Sequence, residues 1–461
     1  MSTTVLIGIY CISIIATLSW GDEGNFLHIS DVHYDPLYGN GASPNSSCSE
    51  AVDSAQYPLG SHHCDSPWAL VESVFQAMAN TKTSDTDFVV WTGDTPGAVD
   101  LSLLNSTKVL TIIQNVTDEM RERLPGLQVF PSIGNHDNYP RHILDPDPND
   151  FRDSLADVWD PWLANYQDAN ETFKAGGYYV TPINSNLWMI VLNTAMYYFK
   201  DPLTEGITDP AGQFDWLDGT LEAAQNTGKK VFISAHILPG SLEGETKVSF
   251  QTSFNVRYLE IIRKYSDVIK GQFFGHHHYD SFRVLYDDTG MPINALYVQP
   301  AITPRQTPSP RYPSFRMITY DRETGDIIDI DQYYLDISTN NPTWALEYRA
   351  TEVYDIADLS PLSLHQLVDK FRGDGSISDA TTDYFARYYT YNTAMAPAGD
   401  CDDDCKGLHI CAITELDVPA YEKCLEGSGN VVRGSIRNII ILFSINLLKS
   451  LLSRSEVITD G

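Results

Sequence analysis

Five short polar segments, each directly downstream of an apolar run, constrain this 461-residue chain more than any other feature. They read D-x-H at 31–33, G-D at 93–94, G-N-H-D at 134–137, A-H at 235–236 and G-H-x-H at 275–278. The runs before them are FLHIS, DFVVWT, QVFPSI, KVFISA and GQFF, and LWMIVLN at 187–193 is a sixth of the same kind. None alternates cleanly, as expected of strands buried on both faces. Helical patterns lie between them, at 66–82, 101–124 and 213–227. Such a chain folds as layered α/β. Its polar segments fall in loops beyond the strand ends, where these folds collect functional groups.

The five segments supply Asp31, His33, Asp94, Asn135, His236, His276 and His278. Oxygen and imidazole ligands in this mixture suit a pair of divalent metals. One D-x-H or G-D is a weak signal, and a single histidine is ordinarily a satisfied buried residue. That bland reading would have to hold at five places together. Asp31 and His33 are two residues apart. On an extended segment their side chains point the same way. The same argument joins His276 to His278 and turns His277 elsewhere. His28, inside the first run, reads as core, and His409 as part of a late helical region. His62 and His63 read as lining an entrance.

Hydrophobic content of 43% against 20% charged residues suits a packed core. With 61 acidic and 30 basic residues the net charge is −31, which excludes a nucleic-acid polymer as partner. Residues 1–21 read as a secretory signal, because the apolar stretch 5–18 is too short to span a membrane. Six cysteines lie beyond it: Cys48, Cys64, Cys401, Cys405, Cys411 and Cys424. Export favours disulfides over a zinc site. Fifteen pairings remain open, and local clustering favours 48–64, 401–405 and 411–424. Sequons at Asn45, Asn105, Asn115 and Asn170 fit a secreted glycoprotein. The tail holds NIIILFSINLLKSLL, an apolar segment short for a membrane span. A lipid-anchor signal there is the less favoured reading.

The motif order from about 26 to 280 resembles the calcineurin-like metallophosphoesterases. WTGDTP at 91–96, GNHDNYP at 134–140 and QFDWLDGTLEAAQ at 213–225 narrow the resemblance to the acid sphingomyelinase-like phosphodiesterases. So does the stretch 344–424, with EYRATEVYDIADLS and its cysteines. The resemblance implies a four-layer α/β sandwich of two mixed sheets flanked by helices. It also implies a helical, disulfide-stapled C-terminal subdomain and the cysteine pairing given above. The expected organisation is a leader at 1–21, a catalytic domain at 24–335, a helical subdomain at 336–426 and a tail at 427–461.

For the site, the resemblance implies one metal on Asp31, His33, Asp94 and His278. A second would rest on Asn135, His236 and His276, with Asp94 shared. Two such ions about 3.5–4 Å apart activate a bridging water for in-line attack. His136 would assist the leaving group, and Asp137 would orient His136 or a ligand. A related branch carries an iron-binding tyrosine three residues after the shared aspartate. Here that residue is Gly97, so two Zn²⁺ are expected, with Mn²⁺ or Fe²⁺ as alternatives.

The resemblance departs at Ala98, where the family usually has a histidine, with His62, His63 or Tyr139 as candidates to compensate. It departs again before residue 24, where a saposin-like segment is absent. Both point away from membrane lipid. The expected function is a secreted, monomeric, dinuclear phosphodiesterase acting on small soluble phosphodiesters or nucleotide phosphates. The alternatives are a sphingomyelin phosphodiesterase and a catalytically weak glycoprotein used for binding. Lysosomal or membrane-anchored locations stand as secondary expectations.

Overall fold

The computed structural model describes residues 22–39, 48, 52–164, 166–243, 248–305, 310–373, 383–396 and 399–427. The leader, Asn45 and the tail beyond Gly427 lie outside the described residues. Twelve strands run in chain order: β1 (Glu23–Ile29), β2 (Thr86–Trp91), β3 (Gln128–Pro131), β4 (Tyr179–Pro182), β5 (Leu187–Val191) and β6 (Lys230–Ser234). Then follow β7 (Ile269–Phe274), β8 (Ser281–Tyr286), β9 (Pro292–Val298), β10 (Ser314–Asp321), β11 (Ile327–Leu335) and β12 (Trp344–Arg349).

They form two six-stranded mixed sheets, ordered β12-β11-β10-β1-β2-β3 and β4-β5-β6-β7-β9-β8. Within the first, β1, β2 and β3 are parallel, with Ile29 opposite Trp91 and Val90 opposite Phe130. Within the second, β5, β6, β7 and β9 are parallel, with Ile190 opposite Ile233. The apolar runs therefore become the central strands, as their composition requires.

Aromatic side chains join the two sheets. Phe26 of β1 stacks on Phe88 of β2 at 4.6 Å and meets Phe273 of β7 edge-on at 5.1 Å. Phe232 of β6 packs on Phe273 and on Tyr320 of β10. Each such pair contributes about 0.5–1.5 kcal/mol beyond its burial. Helices cover the outer faces. The one at Trp68–Thr81 buries Leu70, Val71, Val74, Phe75 and Met78. Another, at Gln213–Asn226, buries Phe214, Leu217, Leu221 and Ala224 on one stripe.

The stretch expected to be helical from 336 opens instead with β12, which extends the first sheet to Arg349. β12 is an edge strand in which only Tyr348 is fully buried, so it lacks the apolar signature of the inner strands. Short helices follow from Ala350 to Gly427. They are tied to the sheets by Asn392 and Tyr388. Asn392 exchanges two hydrogen bonds with the Asp280 backbone, and the Tyr388 hydroxyl meets that of Ser281. The structure pairs Cys48 with Cys64, Cys401 with Cys405 and Cys411 with Cys424. Asn105 and Asn115 are exposed and Asn170 is half-buried. Among the described residues, no helix is long and apolar enough to cross a membrane.

Candidate metal centre

The ends of β1, β2 and β3 and those of β6 and β7 bring the five polar segments together between the two sheets. Three groups of side chains each have their candidate ligand atoms within 4.8 Å of one another: Asp31 with His33 and His278, Asp94 with His236 and His276, and His33 with Asp94 and His136. His278 Nε2 lies 3.2 Å from Asp31 Oδ1, and His236 Nε2 lies 3.2 Å from Asp94 Oδ2. His33 Nε2 stands between the carboxylates, 3.6 Å from Asp31 and 3.5 Å from Asp94.

Each carboxylate divides its two oxygens. Asp31 Oδ2 accepts from the Ser30 hydroxyl at 2.5 Å and the His276 N–H at 2.9 Å, leaving Oδ1 for the cluster. Asp94 Oδ1 accepts from the His136 N–H at 2.7 Å, leaving Oδ2. The imidazoles are fixed in the same way. His33 Nδ1 donates to the Pro96 carbonyl and His236 Nδ1 to the Thr92 carbonyl, so each Nε2 faces inward and is the atom a metal would take.

The approach is close enough to need glycine at two places. A Cβ on Gly134 would sit 2.2 Å from Asp94 Oδ1, and one on Gly275 would sit 1.8 Å from Ser30 Oγ.

The pairs do not converge by strand alternation. Asp31, His33, Asp94, His276 and His278 all adopt left-handed backbone, with φ between 45° and 68°. The expectation of an extended segment is corrected here. The strands end before the ligands, and each polar residue turns out of the sheet. Such conformations cost on the order of 1–3 kcal/mol each and gather at functional sites.

Electrostatics follow from this crowding. Burial raises the Asp31 carboxyl, but His278, His33 and His236 outweigh it and hold it well below the ordinary range. Asp94 is likewise pulled down by His236, His136 and His33 against its burial. Burial lowers His33 and His236, yet the neighbouring carboxylates lift both to about 9. His276, His278 and His136 are lowered, chiefly by burial.

A divalent pair fits these residues. Asp31 Oδ1, Asn135 Oδ1 and His236 Nε2 are buried without a hydrogen-bond partner. Carboxylate and imidazole are the donors zinc takes.

Other predicted residues fall nearby in different roles. Asp137 accepts from the N–H groups of Asp94, Thr95 and Gly134, each at 2.8 Å. It clamps backbone and does not hydrogen-bond to the His136 ring. His28 is buried and meets the Thr92 hydroxyl, while His277 bonds to Ser249 Oγ at 2.9 Å. His62 lies against Pro304 and Tyr312, between β9 and β10, and the nearby Thr303 N–H donates to the Asp31 carbonyl. Tyr139 turns its hydroxyl to the Leu101 carbonyl, and His409 packs against Tyr388.

His142 is a residue the sequence reading missed. Its ring stands edge-on to His136 at 5.3 Å, and its N–H donates to the Asn135 carbonyl at 2.8 Å. No spacing rule pointed to it. The one available signal was a further histidine shortly after G-N-H-D.

A parallel core of strands with acidic and imidazole side chains at their C-terminal ends defines a class of metal-dependent phosphoesterases. The calcineurin-like phosphoesterase profile matches residues 24–280, and that of the acid sphingomyelin phosphodiesterase C-terminal region matches 291–430. The chain is 38% identical over 438 residues to acid sphingomyelinase-like phosphodiesterase 3b of Homo sapiens, covering 90% of this chain and 94% of that one. It is 37% identical over 420 residues to cyclic GMP-AMP phosphodiesterase SMPDL3A of Homo sapiens, covering 87% and 90%. Identity to sphingomyelinase phosphodiesterase C of Dictyostelium discoideum is 34% over 423 residues, covering 87% and 93%. The chain belongs to the acid sphingomyelinase-like phosphodiesterases of the calcineurin-like phosphoesterase family. It is a metal-dependent phosphoric diester hydrolase.

Proposed function

We propose that the chain is a secreted phosphodiesterase that hydrolyses small soluble phosphodiesters or nucleotide phosphates. The observation that carries this is the pair of buried carboxylates, each with one oxygen tied down and the other turned into a ring of imidazoles. Asp31, His33, Asp94 and His278 would hold one divalent ion. Asp94, Asn135, His236 and His276 would hold the other, with Zn²⁺ the first choice. When bound, such a pair lowers the pKa of a water and neutralises charge on the phosphoryl oxygens.

The protein's own residues do the rest. Ser30 and the His276 N–H fix the Asp31 carboxylate, and Asp137 fixes the turn that presents Asp94. His136 lies beside His33, with ring centroids 4.7 Å apart. Burial keeps it neutral, so it serves as a hydrogen-bond donor to the leaving oxygen.

Its relative named as a cyclic GMP-AMP phosphodiesterase supports a nucleotide substrate. The relative named as a sphingomyelinase supports sphingomyelin as the second reading. A panel of bis-p-nitrophenyl phosphate, ATP, a cyclic dinucleotide and sphingomyelin in detergent micelles decides between them. The first three should turn over, with sphingomyelin poor. Best turnover of sphingomyelin without an activator would reverse the assignment.

A further inference from the structure

One rim of the cluster is aromatic. Tyr198 meets His276 edge-on at 4.9 Å and Phe199 at 4.9 Å, and it also touches His142. His142 in turn stands against His136. These contacts form a continuous path of rings from the candidate ligands to the surface. Phe199 is its outer end. It is 41% exposed, while Tyr198 is buried.

The backbone beneath this path is fixed. Tyr198 forms a β-bridge with Phe250, and the Phe199 N–H donates to the Ser249 carbonyl at 3.1 Å. The Ser249 hydroxyl is bonded to His277, between the two ligand histidines. Phe199 is therefore positioned by a segment that is itself hydrogen-bonded to the loop carrying His276 and His278.

Beside it, Lys200 Nζ lies 5.4 Å and 5.5 Å from the Tyr198 and Phe199 ring centroids. A single exposed phenylalanine is ordinary. A rigidly mounted one, next to a cation and two ring contacts from a metal-ligand histidine, suits a substrate that is both anionic and flat.

We propose that Phe199 is the stacking face for the planar base of a nucleotide-type ligand whose phosphate lies at the cluster, with Lys200 supplying adjacent positive charge. This rests on the nucleotide reading above and deepens it by naming where the base is held.

The test is calorimetric binding of AMP and of ribose 5-phosphate, which lacks the base, to the zinc-loaded protein. AMP should bind about tenfold more tightly, within the range that losing a base–aromatic stack spans. Phe199→Ala should erase that gap and Phe199→Trp should preserve it. Equal affinities in the wild type, no binding of either ligand, or a gap that survives Phe199→Ala would overturn the proposal. Failure of the substrate reading looks different. A protein that shows the gap and its loss in Phe199→Ala, yet hydrolyses no nucleotide, keeps the base site and loses the substrate assignment.

Discussion

Two buried carboxylate clusters lie within a few residues of one another and are built on opposite terms. Around Asp280, two residues beyond His278, the central ion pair is matched atom for atom. Asp280 takes one hydrogen bond from Arg316 and one from the Tyr348 hydroxyl. Arg316 spends its remaining donors on Gln332 and the Val298 carbonyl. The three principal residues sit on regular strands or beside one, and none has positive φ. Around Asp31 and Asp94, by contrast, buried acceptors lack partners and five residues hold left-handed backbone. Both regions bury charge. Only the second leaves it unsatisfied on strained backbone. Unmatched polar groups and strain together, more than burial, separate a site from a scaffold.

The strongest way to break this contrast is Asp94→Asn. Losing the shared carboxylate should remove bound metal and lower kcat/KM by about a thousandfold or more, since metal assistance amounts to several kcal/mol. Thermal stability of the ion-free protein should fall, because the variant leaves His33 and His236 without the carboxylate that offsets their charge. Elemental analysis and a melt taken together check both halves. Full metal content in an active variant would contradict the ligand assignment.

His136→Ala should retain its metal and lose rate by about 10²–10⁴-fold, the span of a positioned proton-handling group. His136 reaches the cluster as closely as a ligand would, so metal content decides its role. Metal lost along with rate would make it a ligand.

Arg316→Met addresses the scaffold. Leaving Asp280 buried and unpaired should cost about 3–5 kcal/mol in denaturant unfolding, and adding Asp280→Asn should recover much of it. A neutral single variant would show that the matched cluster does not stabilise the fold.

The smallest effect concerns acid. Glu243 is buried, but Arg283 outweighs that burial and brings its carboxyl down to about 2. A carboxyl lowered on folding adds stability above its unfolded value of 4.5, and that stability is lost as pH falls towards 2. Wild type should therefore exceed Glu243→Gln in stability at neutral pH. The difference should shrink below about pH 4.5 in an acid-unfolding series. A constant difference would mean that Arg283 does not set the Glu243 ionisation.

Much of this was legible in advance because the signals were chemical or apolar. Runs such as DFVVWT and KVFISA can only be inner strands, and ligands at their ends must meet if the strands share a core. The loops were harder. Nothing in D-x-H or G-H-x-H announces left-handed backbone at non-glycine residues, so convergence was derived from alternation that the structure does not use. Asp137 was expected to orient His136 or a ligand, and it bonds to the Asp94 backbone. Its clamp on three backbone N–H groups was hidden, since backbone partners leave no trace in side-chain spacing. β12 escaped because WALEYR at a sheet edge buries only Tyr348 fully and carries no clean period. His142 and Phe199 escaped because tertiary contact alone gives them meaning.

The left-handed residues carry one more implication. At positions 31, 33, 94, 276 and 278 the peptide chain would be more at ease as glycine, by about 1 kcal/mol at each. Drift under selection for folding alone therefore runs toward erasing these side chains. Their presence here is a record of use: a lineage that stopped chelating would be expected to lose them early, and to melt higher for having done so.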